Sequence, residues 1–158
     1  MESGWRRIIL TDRVTRFDKN ICSVHGLAED IYRILSAIYG TSPWTLPQVV
    51  KDIEDENNNY FIIKRNDKLL AFLSSSQAMD EIEITNLAVL PTHQRQGLAS
   101  SLLDALLAYE GLFFLEVRES NIQAIKLYET YKFEEYHRRK KYYKNPQEDA
   151  ILMKLRRE

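Results

Sequence analysis

The chain has a single cysteine, Cys22, among 158 residues. No intrachain disulfide and no cysteine-based zinc site can form, and nothing calls for an oxidising compartment. Its three histidines, His25, His93 and His137, are scattered without metal-ligand spacing, so no metal is expected. Five glycines and four prolines leave no linker rich in these residues, and no internal repeat is visible; residues 1–158 therefore read as one domain. Net charge is also missing. With 22 basic and 23 acidic side chains the formal charge is -1, which gives no general attraction to DNA or to a membrane surface. No stretch approaches the roughly 20 apolar residues of a membrane span, and the opening MESGWRRIIL has too short an apolar run for a secretory signal. A cytoplasmic location is the resulting expectation. What the chain does have is 44% hydrophobic residues, enough for a sizeable core at this length.

Residues 5–10 read as a first strand. Leu27, Ile31, Ile34, Leu35 and Ile38 recur at helical spacing, and Gly40 ends that helix. A second helix opens at Thr45, which makes a capping box with Gln48 and has Pro47 in its first turn; Asn57-Asn58-Asn59 breaks the pattern. Residues 60–64 and 69–74 read as strands of a hairpin turning through Arg65-Asn66-Asp67-Lys68, and residues 81–90 as the next strand. Leu98, Leu102, Leu106 and Tyr109 mark a helix stopping near Gly111. The run 113–117 is almost without polar interruption, which predicts a strand buried on both faces. Ser120 with Gln123 makes a second capping box, opening a helix through about residue 131, and strands at about 133–143 and 150–155 close the chain. The order βααβββαβαββ is a mixed α/β pattern.

Between the apolar run Leu87-Ala88-Val89-Leu90 and the helix at Leu98 lies Gln94-Arg95-Gln96-Gly97-Leu98-Ala99, so a strand feeds through a short basic loop into a helix. The first N–H groups of a helix have no internal partner, and with the helix dipole they form a seat for an anion such as a phosphate. Gly97 lets the backbone approach a ligand and takes φ values that other residues avoid. Arg95 adds a fixed charge, and Gln94 and Gln96 add donors. The string Gly-x-x-x-x-Gly-Lys-Ser/Thr does not occur, and Gly97 lacks the partner glycines of a dinucleotide fold, which argues against both better-known phosphate loops.

In Phe113-Phe114-Leu115-Glu116-Val117-Arg118, period-two alternation puts Phe114, Glu116 and Arg118 on one face. A carboxylate in an apolar strand must be paired, protonated or open to a wet cavity, because burying it alone costs several kcal/mol. Glu116 is thus either ion-paired, with Arg118 or a surface cation, or a general base strengthened by partial desolvation. Tyr128, two turns beyond Asn121, is either a packing tyrosine or an acid able to protonate a departing thiolate. Asn121 is a turn or capping residue, or a donor to a bound cofactor. The run Arg138-Arg139-Lys140-Lys141 reads as a solvated edge strand or as a docking surface for an acidic partner or ribosomal RNA. Tyr142 and Tyr143 are expected to alternate between core and surface. Asp52, Glu54, Asp55 and Glu56 form a solvated face or an attraction for a polycation. Cys22 and His93 receive no role.

The pattern Gln/Arg-x-x-Gly-x-Gly/Ala, with Gln94, Gly97 and Ala99 on its signature positions, resembles the pyrophosphate-binding loop of the GCN5-related N-acetyltransferases (GNAT). The segments LAVLPTHQRQGLASSLLDALL, LEVRESNIQAIKLYETYKF and RRKKYYKNPQEDAILMKL are similar to the RimI branch, the bacterial ribosomal-protein N-terminal alanine acetyltransferases. The resemblance implies a mixed, mostly antiparallel central sheet flanked by helices, with acetyl-CoA as co-substrate and no metal. It implies that Leu87, Ala88 and Val89 offer backbone groups to the pantetheine arm, and that Gln94, Arg95, Gln96, Gly97, Leu98, Ala99 and Ser100 hold the pyrophosphate. Asn121 would contact acetyl-CoA, Glu116 would accept the proton and Tyr128 would donate one. Pro43-Trp44 and the Tyr142-Tyr143 pair would lie near the acceptor peptide. The implied reaction is direct transfer of an acetyl group, in a ternary complex, to a protein N-terminal amine, in that branch the alanine of a small-subunit ribosomal protein. A small-amine acceptor and a non-catalytic CoA-binding module are the alternatives. Three departures stand out: Ala99 replaces a commoner glycine, Tyr131-Lys132-Phe133 replaces Leu-Gly-Phe and leaves the shape of that turn open, and the first forty residues match weakly.

Overall fold

The computed structural model describes residues 13–158. The strand expected at residues 5–10 lies outside the described residues. From there the order is β1 (Val14–Arg16), α1 (Val24–Tyr39), α2 (Leu46–Glu54), β2 (Asn58–Arg65), β3 (Lys68–Ala78) and β4 (Glu81–Val89), then a short 3-10 turn (Pro91–His93). The chain continues through α3 (Leu98–Leu106), β5 (Gly111–Arg118), α4 (Ile122–Thr130), β6 (Glu134–Tyr143) and β7 (Glu148–Arg157). The described strands form one seven-stranded sheet in the order β1-β2-β3-β4-β5-β7-β6. Neighbours run antiparallel except β4 and β5, which are parallel, and α3 makes the crossover that such a pair requires.

Local chemistry explains most of the element ends. Ser23 Oγ accepts the Gly26 N–H at 3.0 Å and opens α1. Leu27, Ala28, Ile31, Ile34 and Leu35 of that helix are buried, and it ends at Gly40 with φ 79°. Both bonds of the capping box at α2 are present: Thr45 Oγ1 accepts Gln48 N–H at 3.3 Å, and Gln48 Oε1 accepts Thr45 N–H at 2.8 Å. At α4 the cap is Asn121 rather than the expected Ser120: Asn121 Oδ1 accepts Ala124 N–H at 3.2 Å, while the Ser120 N–H donates to Glu148 Oε1 at 3.1 Å. Gly111 is likewise not a helix end but the first residue of β5. A Cβ there would lie 2.8 Å from the Asp80 carbonyl oxygen, so only glycine fits.

Successive residues of β2 show the layering. The Tyr60 hydroxyl bonds Asp52 of α2, whereas the next ring, Phe61, meets Tyr109 just beyond α3, so these helices cover opposite faces. α4 lies beside α3, where the Tyr131 hydroxyl reaches the Ser100 carbonyl at 2.9 Å and Asp104 Oδ1 at 2.8 Å. Helices α1 and α2 pack on β2, β3 and β4. That explains why β5 is not buried on both faces as the apolar run suggested. Phe113, Leu115 and Val117 are buried, while Leu112, Phe114, Glu116 and Arg118 stay half-open on the face these helices do not reach.

One irregularity lies where β4 and β5 separate. Ser74 pairs with Asn86 and Ser75 with Ile84, so Thr85 is an extra residue, a bulge in β4. Its hydroxyl lies 2.8 Å from that of Ser74. Bulges bend a strand and increase its twist. The parallel pairing of β4 with β5 ends at the same place, at Ile84 and Leu115, although β4 stays with β3 to Val89 and β5 stays with β7 to Arg118. Past Thr85 the two strands part.

The turn that lacks its glycine keeps a glycine conformation. Lys132 has φ 76°, its N–H donates to Glu129 O at 2.9 Å, and Phe133 N–H returns to Tyr128 O at 3.1 Å. A non-glycine residue in this left-handed well is strained by about 1–2 kcal/mol. Lys132→Gly is expected to raise the unfolding free energy by about 0.5–1 kcal/mol after the greater chain entropy of glycine is subtracted. Urea denaturation measures it, and a lower midpoint would mean that the lysine side chain supports the turn.

Candidate active site

The parting of β4 from β5 opens a cleft of about 680 Å³. Of the residues assigned in the sequence to acetyl-CoA and to proton transfer, all but Gln96 line it. Left-handed backbone at Arg95 (φ 64°) and Gly97 (φ 79°) turns the loop on either side of Gln96, which is left exposed to solvent.

Main-chain direction divides the labour on β4. The Leu90 N–H donates to Leu70 O at 2.8 Å, toward β3. Since alternate residues of a strand point their N–H and C=O to opposite sides, those of Ala88 also face β3 and those of Leu87 and Val89 face the cleft. The Val89 carbonyl accepts the Gln94 side-chain amide at 3.3 Å, which ties the loop to the strand. Backbone groups for a ligand therefore come from Leu87 and Val89, while Ala88 contributes its side chain to the wall.

At the start of α3 the N-cap is Gly97, and among the described residues no side chain caps the helix. The first helical bond is from Ser101 N–H to Gly97 O at 3.0 Å, so the N–H groups of Leu98, Ala99 and Ser100 have no helical partner. A Cβ built on Gly97 would meet nothing within 4 Å, so the space over these donors is open and the glycine serves its φ of 79°. Arg95 is exposed beside them and has no ion pair among the described residues. Uncapped amides, a free guanidinium and a strand offering amide groups alongside suit a ligand with a diphosphate at one end and an amide-bearing arm, as in coenzyme A.

At the other end, Glu116 and Tyr128 line the same cleft from β5 and α4. Glu116 is ion-paired, but not with Arg118. Arg118 donates to Glu148 Oε2 at 3.0 Å, Pro146 O at 3.1 Å and Lys144 O at 3.4 Å, and its guanidinium carbon lies 4.3 Å from the centre of the Tyr143 ring. The partner is Arg139, with Nη1 3.6 Å from Glu116 Oε1. Tyr128 is buried, edge-on to Phe133 at 5.7 Å between centroids, and burial pushes its phenol up to about 12. It is therefore fully protonated near neutrality and holds a proton to give. Asn121 uses its oxygen as the α4 cap, which leaves its amide N–H groups for the cleft.

Several features take a different place from the one the sequence suggested. The basic run is part of β6, an edge strand as expected, but Arg138 pairs with Glu119 at 2.9 Å and Lys140 with Asp149 at 3.3 Å, so it is not a bare cationic patch. Trp44 packs against the core and does not line the cleft. Tyr143 does line it, half-buried, and burial together with the nearby Glu116 charge raises its phenol. Ile38 and Tyr39, the last residues of α1, also reach the cleft wall, and no local signal in the sequence marks them. Among the described residues no group of His, Cys, Asp and Glu could hold a metal, and no helix is long and apolar enough to cross a membrane.

Comparison with known proteins gives the same direction. A family model described as acetyltransferase (GNAT) family matches residues 28–133. The ribosomal protein bS18-alanine N-acetyltransferase of Escherichia coli is 38% identical over 120 residues, which cover 72% of this chain and 80% of the relative. The crystal structure of the ribosomal-protein-S18-alanine N-acetyltransferase from Escherichia coli matches with a TM-score of 0.79 and 30% identity, over 92% of this chain and 94% of that one. A GNAT family acetyltransferase from Elizabethkingia anophelis, with acetyl-CoA bound, shares the fold at a TM-score of 0.69 and 18% identity, over 92% of this chain and 97% of that one.

Proposed function

Since this chain belongs to the acetyltransferase (GNAT) family and uses acetyl-CoA as co-substrate, we propose that it acetylates the N-terminal α-amine of a protein, namely the N-terminal alanine of a small-subunit ribosomal protein. The observation that carries this is the parted pair β4 and β5. One cleft there joins an anion seat at Gly97 to a carboxylate and a protonated phenol. On this reading residues 1–158 act as one catalytic domain, and a cytoplasmic location goes with a ribosomal acceptor. Similarity to ribosomal protein bS18-alanine N-acetyltransferases supports the choice of acceptor.

The chemistry assigns one task to each group. Arg95 and the free N–H groups of Leu98, Ala99 and Ser100 hold the diphosphate, and Gln94 keeps the loop against β4. Main-chain N–H groups of Leu87 and Val89 bind the pantetheine arm and polarise the thioester carbonyl. Glu116 takes a proton from the acceptor ammonium, which becomes a nucleophile. Tyr128 gives its proton to the departing sulfur. Direct passage of the acetyl group from sulfur to amine within a ternary complex is the route this reading takes, and the position of Cys22, the one cysteine, outside the cleft supports it.

Acetyl transfer to a short peptide beginning with alanine, set against a panel of polyamines and aminoglycosides, tests the acceptor class. The peptide is expected to react at its α-amine with kcat/KM at least about 10²-fold above any small amine, the scale that a few specific contacts supply. A small amine turned over better would replace the protein acceptor. Calorimetric binding of acetyl-CoA with no amine acetylated would make the chain a binding module. Labelled acetyl-CoA with a ribosomal protein extract, followed by mass spectrometry of acetylated termini, identifies the acceptor itself.

A further inference from the structure

Glu116 stands where β5 has left β4, and it also walls a second cavity, of about 300 Å³, on the sheet face that α1 and α2 leave open. Its side chain is 27% exposed, and no hydrogen bond among the described residues fixes it. A long carboxylate side chain without an anchor samples several rotamers, and a base that wanders loses the geometry its reaction needs. The cation two residues away on the same face, Arg118, is committed to the β6–β7 turn and to Glu148. Among the described residues the one cation within ion-pair distance of Glu116 is Arg139, at 3.6 Å.

Arg139 reaches Glu116 across β7. Its register partner on β7 is Ala150, which in turn pairs with Arg118 of β5. The methyl group of Ala150 leaves room for the arginine to lie over the strand toward Glu116. On its other side the guanidinium carbon is 5.2 Å from the centre of the Tyr142 ring, a cation–π contact that holds it in place. The length of the pair matters as well. Charge-assisted N–H···O bonds are about 2.7–2.9 Å long, so at 3.6 Å the guanidinium steers the carboxylate by charge and leaves its lone pairs open to a proton.

The geometry points to Arg139 as a positioning residue for acetyl transfer, acting through Glu116; this rests on the reading of Glu116 as the base. It gives one arginine of the exposed edge strand a task that its neighbours Arg138 and Lys140, paired to Glu119 and Asp149, do not share.

Four proteins test it: the wild type, Arg139→Met, Glu116→Gln and the double variant, assayed with acetyl-CoA and an alanine-terminated peptide. Arg139→Met is expected to lower kcat about tenfold, a coupling of ordinary size for residues in contact. Acetyl-CoA affinity by calorimetry stays within about twofold, because the anion seat is at the far end of the cleft. Arg139→Lys, which keeps the charge, recovers most of the loss. In the Glu116→Gln background the methionine changes the residual rate by less than about twofold. Wild-type turnover by Arg139→Met beside a crippled Glu116→Gln would overturn the positioning role alone. An equal loss in both backgrounds would also overturn it, since Arg139 would then act elsewhere. Normal turnover by Glu116→Gln would remove the base and the inference together.

Discussion

Glutamine at position 116 is expected to cut kcat by about 10²- to 10⁴-fold at neutral pH, the usual worth of a general base. The amide keeps the size and shape of the carboxylate but accepts no proton from an ammonium. Acetyl-CoA affinity should hardly change, since Glu116 lies on β5 and the uncapped amides of Leu98, Ala99 and Ser100 lie at the start of α3. The deficit also has a direction with pH. A protein α-amine has a pKa of about 7.7–8.0, so above about pH 8.5 the acceptor arrives already deprotonated and the variant should close part of the gap. Steady-state kinetics from acid to alkaline pH, with calorimetry for the co-substrate, measures both effects. A variant that turns over normally at every pH would return Glu116 to the role of an ion-pair partner for Arg139.

Tyr128→Phe is expected to lower kcat by about 10²-fold with little change in stability. Only the hydroxyl is lost, and the ring keeps its edge contact with Phe133 at 5.7 Å. A phenol pushed up to about 12 by burial is a weak acid in water, and the same burial would disfavour an unprotonated thiolate formed beside it. Because the phenol is neutral well beyond the physiological range, the deficit should be the same at every pH from about 6 to 9, unlike that of Glu116→Gln. Rates equal to wild type in single-turnover assays would leave Tyr128 a packing residue. The two profiles, one narrowing with pH and one flat, separate a proton acceptor from a proton donor.

Much of the site was legible along the chain. The basic loop before an amphipathic helix predicted an anion seat, and α3 does begin uncapped at a left-handed Gly97. Period-two alternation put Glu116 and Arg118 on one face, and both are half-open there. Other assignments failed where two local solutions were nearly equal. Ser120 and Asn121 are adjacent capping residues, and the Glu148 carboxylate decides between them by taking the Ser120 N–H. Gly111 looked like a helix end because nothing in its neighbours announces the Asp80 carbonyl, which a Cβ would meet at 2.8 Å. Glu116 needed a cation, and Arg118 was the obvious one by spacing, but strand pairing carried that arginine to Glu148 and brought Arg139 across β7 in its place.

Several helix limits and caps and the strand–loop–helix turn arise from groups a few residues apart, so composition and spacing already specify them: Thr45 with Gln48, Gly40 after α1, Gly97 before α3. The cleft is another matter. It exists because a bulge at Thr85 coincides with the end of the β4–β5 pairing, and because distant strands and helix α4 then carry Leu87, Glu116, Tyr128 and Arg139 to its walls and margin. Sheet register joins residues far apart in the chain, and its energy belongs to the assembled sheet as a whole rather than to any segment of it.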